Sequence, residues 1–243
     1  LAAVVTLSVA SSFSSAADKA ATDFLQSGPK GDIDHLSEED FYVDGSNGSG
    51  KVFEFSNGKR ALHFVPMIHQ ADPAFYSAVA SEVKSLKGEG MDLFYEFIDF
   101  DAAILEDKRR IRAMLGFLPT PEFYAQNVSD GLVAQDNAMF LGFSGGDDIN
   151  VDATPAEIAD AYEAIIGPLD ITDENLITPL DTFVLPTSDA SQISRITIDW
   201  RNERLAKAIN ESKRDLVVLY GAAHGLGTLL YLRSLDESWQ RAN

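Results

Sequence analysis

The sequence predicts an α/β fold on the α+β borderline: a mixed central β-sheet that contains a hairpin and is flanked by helices. Three observations carry this expectation. Apolar runs at 61–68, 91–98 and 215–220 have the length and branching of buried strands. Stretches at helical spacing follow them, at 72–87, 101–115 and 225–235. Between the apolar stretches 52–55 and 61–68 lies Asn57-Gly58, the dipeptide of a tight hairpin turn.

Taken in order, residues 26–38 form a polar entry segment with His35 inside it, read as loop and surface. Phe41-Tyr42-Val43 and Val52-Phe53-Glu54-Phe55 read as strands, and Ala61 to Ile68 pairs with the latter across the hairpin. Asp72-Pro73 then supplies a cap and a first-turn proline, and Phe75, Val79 and Val83 recur on one helical face. Residues 91–98 form the next strand and 101–115 the next helix. The middle of the chain, 116–190, is rich in turn residues and reads as an irregular helical insertion, with Thr154 capping a helix from Pro155. A long helix is expected over 189–211, burying Ile193, Ile196, Trp200, Leu205 and Ile209, then the strand 215–220 and a final helix 225–235.

Composition bounds the function. The chain has 243 residues, enough for one domain over 21–243, and 45% of them are hydrophobic, so it folds around a core. Nineteen basic against 38 acidic residues give a net charge of -19, which repels nucleic acid and anionic membranes. The densest basic group, Lys108-Arg109-Arg110, sits beside Glu106 and Asp107 and reads as a solvated helix face. With no cysteine, disulfides, thiolate zinc sites, iron–sulfur clusters and cysteine nucleophiles are excluded. Residues 1–20, with an apolar core and the small-residue pattern Ser15-Ala16-Ala17, read as the remnant of an export signal and predict a periplasmic or secreted protein. No later segment approaches the ~20 apolar residues of a membrane span.

Residues 45–52, GSNGSGKV, match Gly-x4-Gly-Lys, but Val52 stands where a phosphate-binding loop needs a hydroxyl. A strand follows where that loop needs a helix N-terminus, so the stretch reads as a turn.

The chemistry-bearing residues gather at strand ends, where ligands of α/β sheets bind. His224 follows the strand 215–220 within Gly221-Ala222-Ala223-His224, and small neighbours leave its ring approachable. His69 closes the strand 61–68, and Glu96 lies among Phe94, Tyr95, Phe97 and Ile98, where a carboxylate needs a cation, a metal or a raised pKa. Two imidazoles and a carboxylate compose an open site for a divalent metal, with Zn, Mn, Co or Fe all admissible. His63 shares a strand face with His69 but stands about 20 Å away along the strand, and reads as a partly buried strand residue. Arg201, beside Trp200, lies at the edge of a buried stripe, where a guanidinium requires a carboxylate or a substrate; a helix salt bridge with Asp199 or Glu203 is the plainer reading.

Met67-Ile68-His69 leading into Phe75-Tyr76, then Tyr95-Glu96, residues 131–135 (GLVAQ), Trp200-Arg201-Asn202-Glu203-Arg204-Leu205-Ala206 and Gly221-Ala222-Ala223-His224 run in the order of the TraB family, which this chain resembles over residues 60–235. That family includes pheromone-shutdown proteins, GumN-type proteins and the Tiki proteases, with looser kinship to erythromycin-esterase-like and haem-binding ChaN-like proteins. The resemblance implies a Tiki-type, metal-dependent hydrolase using Mn or Co and acting on peptides. It also implies that His69, Glu96 and His224 form the metal-binding and catalytic set, with Arg201 and Asn202 beside them. Pro66 stands where the family pattern has Gly.

The reaction expected on this basis is hydrolysis by a metal-bound water, with Glu96 as ligand or general base and Arg201, oriented by Asn202, steadying an oxyanion. The rival expectations are a protein that sequesters a peptide or haem without turnover, a metal-free esterase using His and Glu, and a purely structural polar network.

Overall fold

The computed structural model describes residues 36–43, 45 and 51–242. The expected export signal, the loop with His35 and most of the 45–52 turn lie outside the described residues.

In chain order, the first described elements are α1 (Glu38–Phe41), β1 (Phe53–Ser56), β2 (Ala61–Met67), β3 (Gln70–Ala71), α2 (Pro73–Gly88), β4 (Asp92–Tyr95) and α3 (Leu105–Leu115). The middle of the chain gives α4 (Pro121–Gln126), β5 (Val133–Ala134), β6 (Asp148–Asn150), α5 (Pro155–Ile165) and α6 (Asp173–Ile177). Then come α7 (Ala190–Ser194), a π-helical stretch (Arg195–Trp200), α8 (Arg201–Glu211), β7 (Leu216–Gly221), a short 3-10 turn (Ala222–His224), α9 (Gly225–Leu235) and β8 (Gln240–Arg241).

The main sheet is six-stranded, in the order β6-β4-β7-β2-β1-β8. β6, β4, β7 and β2 run parallel, β1 folds back on β2 as the antiparallel hairpin, and β8 pairs antiparallel with β1. β3 and β5 form a separate two-stranded ribbon. This is the mixed α/β sheet flanked by helices that the alternation of runs predicts. β7 is buried along Leu216–Tyr220 because both faces of the parallel core are covered. On one face Phe64, Val218 and Tyr220 pack against Leu205 and Ile209 of α8 and Leu229 of α9. On the other, Val65, Leu93 and Val217 pack against Phe75, Val79 and Val83 of α2. A third cluster joins Ile111 and Met114 of α3 to Ile158 and Tyr162 of α5 and to Ile196.

Local chemistry explains the element ends. Asp72 accepts a hydrogen bond from the Ala74 amide at 2.7 Å, with Pro73 in the first turn of α2. Thr154 and Glu157 form the reciprocal capping box of α5. Phe41-Tyr42-Val43, expected as strand, instead contains the end of α1: Ser37 and Asp40 make a capping box, and this local bonding overrides the β preference of the aromatic run. The helix expected over 189–211 is α7, the π stretch and α8 in unbroken succession.

The middle segment is more than a helical insertion, because β6 joins the main sheet beside β4. Its seat is tight. A Cβ on Gly145, at φ +127, would lie 1.7 Å from the Lys87 carbonyl oxygen, and Lys87, itself buried, pairs with Asp148 on β6. Gly145→Ala is therefore expected to cost more than about 1 kcal/mol, since both the backbone angle and the space oppose a side chain. Urea unfolding checks this, and a variant as stable as the parent would contradict it.

No helix among the described residues is long and apolar enough to cross a membrane.

Candidate active site

The carboxyl ends of β2, β4, β6 and β7 all point into one crevice, and each delivers a polar residue one to three positions beyond its strand. β2 leads to His69, β4 to Glu96, β6 to Asp152 and β7 to His224. α8 brings Arg201 and Asn202 across the same edge.

Arg201 is the hub, with its residue 6% exposed. Its Nε donates to Asp152 Oδ1 at 2.9 Å and its Nη2 to Asp152 Oδ2 at 2.7 Å, a bidentate pair. Nη2 also donates to Glu96 Oε1 at 2.5 Å, and Nη1 to the Thr197 carbonyl at 3.2 Å. The second Nη1 hydrogen faces His224 Nε2 at 3.4 Å. A guanidinium has five N–H groups, and all of them are committed inside the protein. Tyr220 completes the set, donating its hydroxyl to Asp152 Oδ1 at 2.8 Å beneath the guanidinium.

Glu96 has both oxygens engaged, Oε1 by Arg201 and Oε2 by the Gly221 amide at 2.6 Å. A Cβ on Gly221 would stand 3.1 Å from that oxygen, so the glycine in the Gly-Ala-Ala-His turn admits the carboxylate to the backbone. Burial on its own raises Glu96, but Arg201, the histidines and the Gly221 amide outweigh it and hold the carboxyl down at about 2.

His224 is buried behind Arg201. Its Nδ1 donates to Asn202 Oδ1 at 2.7 Å, which fixes the proton there and turns the Nε2 lone pair toward the guanidinium. Burial and then Arg201 push the imidazole down to about 3, so it is neutral. Asn202 in turn fits against Gly227, where any Cβ would fall 2.1 Å from its Nδ2.

His69 differs from the other members. Its ring stacks on Tyr124 at 4.2 Å between centroids and 21° between planes, and neither ring nitrogen has a protein partner among the described residues. The residue is exposed, and it stands in the wall of a concave site. That site is a cavity of about 760 Å³ whose lining includes His69, Tyr124, Glu96 and Arg201 but not His224. Burial lowers the His69 pKa from its usual value, with Glu96 opposing and Arg201 adding to the shift. Tyr124 is pushed up to about 12, chiefly by burial and then by Glu96, so its hydroxyl keeps its proton.

The structure thus joins Glu96, Arg201, Asn202 and His224 through direct hydrogen bonds, and sets His69 in the wall of the cavity that Glu96 and Arg201 also line. Three residues were not legible in the sequence: Tyr220, which ends the apolar run of β7 and donates to Asp152, Asp152 itself and Tyr124. Asp152, the bidentate partner of Arg201, follows a three-residue strand that no apolar run announces. Tyr124 reaches His69 from α4 because the β3–β5 ribbon and the bond from the Gln135 amide to the His69 carbonyl, 2.9 Å, fold the middle segment over β2. One expectation is corrected: Arg201 pairs with Glu96 and Asp152, not with Asp199 or Glu203. A second is corrected with it, since a guanidinium whose donors are all engaged has none left for an oxyanion.

The donors as arranged do not fit a metal. Among the described residues no group of three or more His, Asp or Glu is placed to hold an ion. Glu96 and His224 approach to 3.9 Å, but the positive charge they face is that of Arg201, and the atoms these two would offer a metal are already bonded to or facing a donor, which leaves His69 as a single ligand.

In comparisons with known proteins, no family model, no curated protein and no solved structure matches the chain.

Proposed function

We propose that the protein is a hydrolase acting on a carbonyl compound, with His69 as its base. The observation that carries this reading is an imidazole whose two nitrogens have no protein partner among the described residues, set in the wall of a large cavity that the Glu96–Arg201 pair also lines. In the arrangement described, His69 takes a proton from water as the water oxygen attacks the carbonyl carbon. The Tyr124 hydroxyl, protonated and without a protein partner among the described residues, donates to the developing oxyanion. The imidazolium then returns the proton to the leaving group, and the nearby charge of Glu96 favours it while it lasts. Glu96, Asp152, Arg201, Asn202 and His224 act as positioning residues, held by their bonds to one another.

The TraB resemblance supports hydrolysis and suggests peptides with Mn or Co, which enter the test as separate arms. Turnover of a mixed peptide set and of 4-nitrophenyl acetate is measured with EDTA and, separately, with Mn(II), for the parent and for His69→Ala. Chelator-resistant turnover that falls about 10²- to 10⁴-fold in His69→Ala is expected. No turnover above that variant in any arm overturns the proposal. Turnover that appears only with Mn(II) replaces the metal-free reading by the metal-dependent one, in which Arg201 must release Glu96.

The pH profile gives an independent check. A base must be unprotonated to act, and burial lowers His69 below its ordinary 6.5. The acid limb of kcat/KM is therefore expected to have its midpoint below pH 6.5 and a plateau above it. A midpoint above 7 would exclude His69 as the base.

A further inference from the structure

Beyond His69 one side of the cavity is hydrocarbon, while Gln135, Asp136, Asn137 and Thr197 lie elsewhere in the lining. Phe97, Phe100, Ile111, Met114, Leu115 and Phe117 form a continuous apolar surface from the end of β4 across α3. Positive charge in the lining is confined to Arg201, whose donors are all committed, while Glu96 and Asp136 add carboxylates to the same wall. An anion entering meets no available cation and two like charges, inside a protein of net charge -19. A peptide backbone brings an amide donor and acceptor with every residue; the α3 side of the wall pairs none of them, and Gln135 and Asn137 elsewhere in the lining are bonded to each other. A neutral group rich in carbon suffers neither penalty. The volume, about 760 Å³, far exceeds what an acetyl group fills and lies in the range that encloses drug-sized ligands.

We infer that the substrate is an uncharged ester with a large apolar acyl or aryl group, seated with its hydrocarbon against α3 and its carbonyl toward His69. The position of the carbonyl rests on the hydrolase reading; the class of ligand rests on the wall. In the reaction the water oxygen bonds to the carbonyl carbon, the carbon–oxygen ester bond breaks, and the proton passes through His69 to the departing alkoxide. The products are an alcohol and a carboxylic acid, and the acid, once ionised, is disfavoured by the same carboxylates, which promotes its release.

The test pairs binding with turnover on the full chain. N-phenyl-1-naphthylamine fluorescence reports occupancy of the cavity, and n-alkanols from butanol to octanol, and octanoate, compete with it. In parallel, kcat/KM is measured for 4-nitrophenyl esters from acetate to octanoate, in the parent and in Leu115→Glu. Alkanol competition is expected to strengthen about three- to fourfold per methylene. Octanoate should compete about tenfold or more weakly than octanol, since ionisation costs it at least one factor of ten here. The esters should rise in parallel with the alkanols. Leu115→Glu should flatten the octanoate-to-acetate ratio, a quantity that general loss of folded protein does not change. Ester turnover with no gain along the series overturns the inference and leaves the hydrolase standing. Graded alkanol binding with no turnover of any ester or of the mixed peptide set overturns the hydrolase and supports the apolar ligand class. Neither binding nor turnover overturns both.

Discussion

Arg201→Met is expected to lower the folding free energy by roughly 3–5 kcal/mol, the cost of breaking a buried ion pair by removing one partner. The size follows from what remains. Asp152, with its side chain 0% exposed, and Glu96, at 18%, would be two carboxylates facing one another without their cation. The Thr197 carbonyl and His224 Nε2 would lose their donor as well. Lysine is no remedy, since an ammonium on a flexible stem does not reproduce the planar fork that spans Asp152 and Glu96 together. Asp152→Asn should cost less, about 1–3 kcal/mol, because the amide preserves volume and an acceptor oxygen. The two changes should also be non-additive: once the carboxylate at 152 is neutralised, less uncompensated charge remains when Arg201 is removed. Urea unfolding of the parent, both single variants and the double variant decides it. An Arg201→Met protein within about 1 kcal/mol of the parent would mean that the network contributes little.

Much of this architecture was legible in the residues, for a physical reason. Strands buried on both faces must be apolar throughout, so 61–68, 91–98 and 215–220 stand out, and the polar residue that ends such a run marks the strand's carboxyl end. His69 and His224 were found in that way and Glu96 as a carboxylate among the apolar residues of 91–98, of which only Asp92–Tyr95 form the strand; the crevice that joins them follows from parallel strands ending on one edge. Asp72-Pro73 and the Thr154–Glu157 box were legible because capping is local. What failed was whatever depends on distant packing. β6 is three residues long at a sheet edge, seated by Gly145 and by the Lys87–Asp148 pair, and leaves no periodic trace. Asp152 was therefore invisible as a partner of Arg201, and the nearby Asp199 and Glu203 stood in for it, although residues two apart on a helix do not face one another. The π-helical stretch also escaped, because one extra residue per turn shifts side-chain phase without changing composition. It delivers Arg201 and Asn202 to the sheet edge while Ile196 stays in the core.

Acid should destabilise the protein from well above the carboxylate range, and His224→Gln should remove much of that sensitivity. Folding lowers the His224 pKa from 6.5 to about 3, so below 6.5 the unfolded chain binds a proton that the folded chain refuses. A group shifted down in this way stabilises the fold above its unfolded pKa and ceases to do so as pH falls through the folded value. Stability should thus decline as pH drops from 6.5 toward 3, at up to about 1.4 kcal/mol per pH unit for one proton. His69 is lowered too and acts with the same sign. Glu96, ordinarily at 4.5 and held at about 2, adds to the loss only below 4.5. Between 6.5 and 4.5 the groups held down are the histidines, with Asp199, raised by burial, opposing them alike in both proteins, and there the parent should show a steeper fall than His224→Gln when urea midpoints are followed with pH. Equal slopes would mean that His224 accepts its proton in the folded state as readily as in the unfolded one. The arrangement makes that costly: a protonated Nε2 would point its hydrogen at the Arg201 Nη1 group 3.4 Å away. The guanidinium that keeps Glu96 charged is thus the one that keeps His224 neutral, so a single buried cation sets both protonation states.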